Sequence, residues 1–158
     1  MGYTVSYKKA WLGKQLAIEK VYGNWEESYR KLTSLLNAMQ LYVPRFIWKM
    51  KTQPAYEGNQ LDEDHIIFKR VFWIFKPCID GFKFSKPLVQ FDGTFLYGKY
   101  RGTLLVAAAQ DGRNNKLPIA FAIVEGETAE AWFFFLRNLQ RYVTPQGASV
   151  LFFIVTNQ

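Results

Sequence analysis

The sequence predicts a mixed α/β protein: a helical N-terminal region over residues 1–86, then a partial mixed sheet over residues 87–158 in the order β-β-β-α-β. Three observations predict this. Residues 4–39 repeat their apolar side chains at helical spacing. From residue 87, three short apolar segments follow one another, separated by turn chemistry. A capped amphipathic segment and one more apolar segment close the pattern.

The first helix is predicted over residues 4–22. Ala10, Trp11, Ala17, Ile18, Val21 and Tyr22 share one face, with Lys8, Lys9, Glu19 and Lys20 elsewhere. Gly23-Asn24 breaks it. The second runs from Trp25 to Met39, with Tyr29, Leu32, Leu35, Leu36 and Met39 recurring and Glu26 and Glu27 in the first turn, where the helix dipole favours acids. Residues 40–65 read as irregular, because Pro44, Pro54, Gly58 and Asp62-Glu63-Asp64 interrupt every period; Phe46–Met50 is the one strand-like piece. Ile66–Phe75 reads as a short helix or a strand-helix pair stopped by Pro77.

The three apolar segments are Leu88–Phe91, Thr103–Ala109 and Leu117–Val124. "QDGRNNK" (110–116) joins the last two with hairpin residues. Thr128 is placed to cap a helix over Ala129–Val143, whose buried stripe is expected to be Trp132, Phe133, Leu136, Leu139 and Val143. That helix is expected to touch Leu88, Val89, Val106 or Ile119. Val150–Val155 then forms a strand that can lie parallel to the first, which would be central. A ribonuclease-H-like sheet starts in this order.

Bulk properties bound the function. At 158 residues, 49% hydrophobic and 18% aromatic, the chain can bury a core and is not disordered by composition. No apolar run reaches the ~18 residues a membrane span needs, and the lysine-bearing N-terminus is not a secretory leader. The single cysteine, Cys78, excludes an internal disulfide and a multi-Cys zinc site, and favours a reducing compartment, nucleus or cytosol. The net charge is +7 and uneven: +5 over residues 1–60, −3 over 61–64, +5 over 65–101 and zero over 102–158. A polyanionic partner fits this distribution.

The stretch "LVQFDGTFLYGKYRG" (88–102) is the most informative. An apolar run ends on Asp92, followed by Gly93 and an aromatic, basic segment with Tyr97, Lys99, Tyr100 and Arg101. Asp-Gly is turn chemistry, and Asp92 is equally placed as a metal-binding carboxylate at a strand tip facing a nucleic-acid backbone. Asp111 reads as a hairpin residue, Glu125 and Glu127 as helix-entry residues, His65 as a solvated loop residue, and Cys78 as a small buried hydrophobe.

Three stretches, "AWLGKQLAIEKVYGNWEESYRKL" (10–32), "FKRVFWIFKPCIDGFKFSKPLVQFDGTFLYGKYRGTLLVAAAQD" (68–111) and "LPIAFAIVEGETAEAWFFFLRNLQRYVT" (117–144), carry a resemblance to plant Mutator-like element (MULE) transposases, a branch of the DDE transposases. The resemblance implies DNA as partner, together with other transposase subunits, a nuclear location, and metal-dependent DNA cleavage and strand transfer. By it, Asp92 is the first catalytic acid and a Mg²⁺ ligand, and Lys99, Arg101, Tyr97 and Tyr100 are nucleic-acid contacts. Two ions ~3.5–4 Å apart would clamp the attacking and leaving oxygens. The sequence departs from the family in two places. Phe95 stands where the family usually has His. The second acid, expected at Ile154 or, with a three-residue shift, Asn157, is not a carboxylate at either position, and the third would lie downstream. The tail "SVLFFIVTNQ" (149–158), back-translated and read one frame over, can approach the family's motif, as a frameshift would produce. The expectation is therefore a transposase fragment without catalysis, with only weak Mg²⁺ binding, or a domesticated or decayed DNA- or protein-binding module.

Overall fold

The computed structural model describes residues 6–97, 100–144 and 151–154, the last as backbone. Helix α1 spans Tyr7–Tyr22 and ends at Gly23, whose φ of 84° is open to glycine and whose N–H bonds the Glu19 carbonyl. None of its residues is buried, so the apolar face of Trp11, Ile18, Val21 and Tyr22 stays exposed. Helix α2, Trp25–Tyr42, runs three residues past the expected Met39. Asn24, expected only as a breaker, also caps it: its Oδ1 accepts from the Glu27 N–H at 2.7 Å. The chain divides into two units, Met1–Asn37 and Ala38–Gln158.

The second unit is built on a six-stranded sheet in the order β1-β2-β5-β4-β3-β6. Its first two strands correct the sequence reading. Residues 40–65 are not irregular: β1 (Ile47–Glu57) and β2 (Gln60–Ile74) form a long antiparallel hairpin. Pro54 is tolerated because β1 is the sheet's edge strand, where a missing N–H removes no ladder bond on the open side. Register shifts beside Thr52 and Pro54 absorb the remaining irregularity. Gly58 takes φ 63° in the tight loop. The acidic run Asp62–Asp64 and His65 lie within β2, where the Asp62 carboxylate accepts from the Asp64 N–H and contacts the His65 ring at 2.8 Å. Only Val71–Trp73 of β2 pair with β5, so the outer part of the hairpin extends beyond that neighbour.

Ile66–Phe75 is neither a helix nor a strand-helix pair: Ile66–Ile74 is the end of β2, Phe75 is the N-cap residue, and the helix begins only at Lys76. Pro77 does not stop it; it stands in the first turn of α3 (Lys76–Phe82), where a proline's absent N–H has no partner to lose. Strands β3 (Leu88–Leu96), β4 (Gly102–Gln110) and β5 (Lys116–Val124) form an antiparallel set, helix α4 (Ala129–Tyr142) crosses over, and β6 (Leu151–Ile154) pairs parallel with β3. The expected β-β-β-α-β order is present, and β3 lies between β4 and β6.

Thr128 caps α4, its hydroxyl accepting from the Ala131 N–H at 3.2 Å. The buried stripe is the expected one only in part: Leu139 and Val143 are buried and Trp132 packs against the core, as expected, but Phe133 and Leu136 are not in it. Ala131, Phe135 and Leu139 face the sheet, with Val143 beyond them, whereas Phe133 is 65% exposed and Leu136 is also open. Trp132 and Phe135 pack edge-on against Phe91, and Phe135 also meets Phe72. Leu139 shares this core with Val89 and Ile119, while Val106 projects from the other sheet face. Strict burial of alternate residues along β4, from Thr103 to Ala109, marks the face that α4 covers.

Candidate functional site

Asp92 is the reference point. The expectation that it ends a strand beside a turn is corrected by the ladder: Asp92 pairs with Val106, Gly93 with Leu105, and β3 continues to Leu96. Cross-strand pairing with β4 outweighs the local turn preference of Asp-Gly. The carboxylate is thus mounted inside a paired strand. Val89 and Phe91 point into the α4 core, so alternation puts half-buried Asp92 on the opposite face. There it ends a row across five strands: Trp48, Trp73, Phe121, Val106, Asp92. Trp73 and Phe121 stack at 5.5 Å, and the Trp48 indole donates to Gln40.

Strand β6 sets what stands beside Asp92. Its parallel register places Ile154 opposite Phe91, one residue short of Asp92. The position where the resemblance expects a second acid is therefore on the neighbouring strand near the first, and it carries isoleucine. The alternative position, Asn157, lies outside the described residues, and so does Lys99.

A second group of acids enters from the β5–α4 connection. A Cβ placed on Gly93 would lie 2.7 Å from the Glu127 carboxylate, so Glu127 occupies the space above this backbone on the α4 side of β3. Arg70 on β2, only 4% exposed, pairs with Glu125 and lies 3.6 Å from Glu130. Its guanidinium also sits 5.8 Å from the Phe134 ring, and its Nε is buried without a hydrogen-bond partner. Glu125 is thus an ion-pair anchor that ties the loop to β2, beyond the helix-entry role read from sequence. Arg70 was not singled out in the sequence. The available signal was one arginine within the apolar run "FKRVFWIF", because a buried cation needs a carboxylate.

The β3–β4 turn carries the expected nucleic-acid residues. Tyr97, Tyr100 and Arg101 are all exposed, together with Phe95. The structure therefore places Tyr97 just after β3, the strand that holds Asp92, and Tyr100 and Arg101 just before β4. Asp111 is the hairpin residue expected: it accepts from the Arg113 and Asn115 N–H groups and from the Asn115 side chain. These bonds hold its carboxyl below the usual aspartate range, the Asn115 side chain contributing most. Burial pushes the Cys78 thiol up, which keeps it protonated and unreactive. Among the described residues, no group of three or more His, Cys, Asp or Glu is arranged to hold a metal ion, and no helix is long and apolar enough to cross a membrane.

This fold and site are those of a mixed α/β domain with an acid on a central strand. Residues 88–158 match the family model described as MULE transposase domain. The match covers the three antiparallel strands, α4 and β6; the stretches 10–32 and 68–87 of the resemblance lie outside it. Neither the curated proteins nor the solved structures contain a match.

Proposed function

We propose that the chain derives from a MULE-type DDE transposase with a ribonuclease-H-like sheet, and that in its present form it binds DNA without cutting it. The reading is carried by one coincidence: the MULE match spans β3 to β6, and within it the first-acid position is Asp92, on a central strand beside a parallel neighbour. Cleavage and strand transfer in that class need several carboxylates converging on Mg²⁺. Here the neighbouring position holds Ile154, the row beside Asp92 continues with Val106 and Phe121, and Glu127 lies toward the other sheet face. These residues do not fit a Mg²⁺ site. A single carboxylate leaves most of the ion's octahedral demand to water, so binding in the millimolar range or weaker is expected.

DNA binding rests on the +5 charge of residues 65–101 and on the exposed turn with Tyr97, Tyr100 and Arg101, to which Lys99 adds a cation in sequence. Contacts to phosphate make such binding weak and indifferent to sequence. A nuclear location and association with other transposase subunits accompany this reading. The second reading is a domesticated or decayed non-catalytic module that binds DNA or protein, and the isoleucine at position 154 favours it.

The purified chain, incubated with supercoiled plasmid and Mg²⁺ or Mn²⁺, is expected to leave the plasmid intact, and Asp92→Asn is expected to change nothing. Ile154→Asp alone is not expected to restore strand transfer. Duplex affinity should fall with salt, with a log-log slope near −0.9 per neutralised phosphate. Metal-dependent nicking abolished by Asp92→Asn would overturn the non-catalytic part, and salt-independent binding would overturn the DNA part.

A further inference from the structure

We infer that the exposed aromatic end of β3 holds unpaired bases, so that the nucleic acid this protein prefers is single-stranded where it makes contact. The inference rests on the DNA-binding reading above and narrows its ligand.

Phe95 and Tyr97 carry it. Along β3, Val89 and Phe91 point into the α4 core and are buried. The same side of the strand continues to Gly93, which Glu127 covers, and then to Phe95, which is 65% exposed. Tyr97, just past the end of β3, is 91% exposed. The end of β3 and the residue that follows it thus present two large aromatic side chains to solvent, where they add nothing to the folded core. Exposed aromatics grouped in this way mark an interaction site rather than a packing role.

The spacing selects the ligand. Phe95 lies on β3 and Tyr97 one residue past its last residue, Leu96, so their backbones stand at most ~7 Å apart, the span of two residues of extended chain. That is about twice the ~3.4 Å repeat of stacked bases along one strand. One flat base fits between two rings so spaced. A base inside a duplex is already stacked on both sides and paired, so it enters only after unstacking, whereas an unpaired base enters directly. Every base has a π-face, so the preference is for strandedness and not for sequence. Arg101 is exposed on the returning chain, immediately before β4, and supplies the cation for the adjoining phosphate. It also offers a planar guanidinium on which a base can stack.

The test is fluorescence anisotropy of the full 158-residue chain with a labelled thymidine 20-mer and with a duplex of equal length, each at two salt concentrations. The single strand is expected to bind about tenfold tighter than the duplex. Phe95→Ala is expected to weaken single-strand binding about tenfold, in line with stacking losses elsewhere, while leaving duplex binding and the salt slope unchanged, and Tyr97→Ala is expected to weaken single-strand binding by a larger factor than duplex binding. Tyr97→Phe keeps the ring and is expected to keep the preference. Arg101→Ala should lower the salt slope for both ligands. Equal affinity for the two ligands, or alanine variants that weaken both equally, overturns this inference and leaves the DNA-binding reading intact. No binding to either at low salt overturns that reading, and the inference with it. Because Phe95 and Tyr97 are exposed, their substitution leaves the core packing in place, and circular dichroism of each variant verifies the fold.

Discussion

Truncating Phe135 tests which face of α4 holds the fold together. The side chain is fully buried and its ring lies 6.0 Å from Phe72, 6.1 Å from Phe91 and 6.2 Å from Trp132. Replacing it with alanine removes its transfer free energy and leaves a cavity between α4 and the sheet, at a cost of about 3–5 kcal/mol. The aromatic pairs add their own ~0.5–1.5 kcal/mol each beyond buried area, which places the expectation toward the upper end. A domain of ordinary stability has only ~5–15 kcal/mol in total, so the loss is a large fraction of it. With a urea m-value of ~1–3 kcal/mol per molar, the unfolding midpoint should fall by about 2 M. Phe133, two residues earlier, belongs to the stripe that sequence periodicity selects, yet it is 65% exposed and only rests near the Arg137 guanidinium. Phe133→Ala should change stability by less than about 0.5 kcal/mol. Equilibrium urea unfolding followed by far-ultraviolet circular dichroism reads both. Equal losses for the two variants, or a Phe135→Ala loss under about 1 kcal/mol, would refute the packing argument.

Two glycines should respond differently to alanine. At Gly102 the added Cβ would meet the Val124 carbonyl oxygen at 2.9 Å, and backbone cannot give way, so Gly102→Ala should cost about 1–3 kcal/mol in the same unfolding assay. At Gly93 the obstacle is the movable Glu127 carboxylate, so Gly93→Ala should cost less, and a double-mutant cycle with Glu127→Ala should recover most of that loss. Arg70→Ala should destabilise by about 1–3 kcal/mol, measured by thermal melting, because it removes a buried side chain and its charged hydrogen bond to the partly exposed Glu125. Asp111 has a depressed pKa, so its stabilising contribution is present at neutral pH and is lost as pH falls below about 4, through its folded-state pKa. Asp111→Asn should therefore flatten the acid limb of the stability–pH curve; an unchanged limb would contradict the assignment.

Much of the architecture follows from local pattern. Helices α1, α2 and α4 were legible because apolar residues recur at 3.6-residue spacing, and Thr128 was legible as a cap because a hydroxyl three residues before a free N–H is a local geometry. Strands β3, β4 and β5 were legible from short apolar runs bounded by turn residues, and the parallel return of β6 from the crossover helix between them. Each of these signals lies within a few residues of the element it specifies.

What the tertiary structure decided involves distant partners. Pro54, Gly58 and Asp62–Asp64 break every local period, so the β1–β2 hairpin was not legible; it forms because an edge position and register shifts accommodate them. Asp92-Gly93 reads as a turn by itself, and pairing with Val106 and Leu105 makes it mid-strand. In α4, Trp132, Phe133, Phe134, Phe135 and Leu136 are all apolar, so composition alone leaves the buried face undetermined; the sheet selects Ala131, Phe135 and Leu139, which succeed one another at four-residue intervals. Arg70 and Glu125 are separated by 55 positions, and the Glu127 carboxylate above Gly93 arrives from another element entirely. The sequence by itself determined which segments are helices or short apolar strands and that Asp92 stands on one of those strands. Only the tertiary structure decided which faces are buried and which charges meet, because burial and ion pairing are relations between surfaces that a local period does not encode.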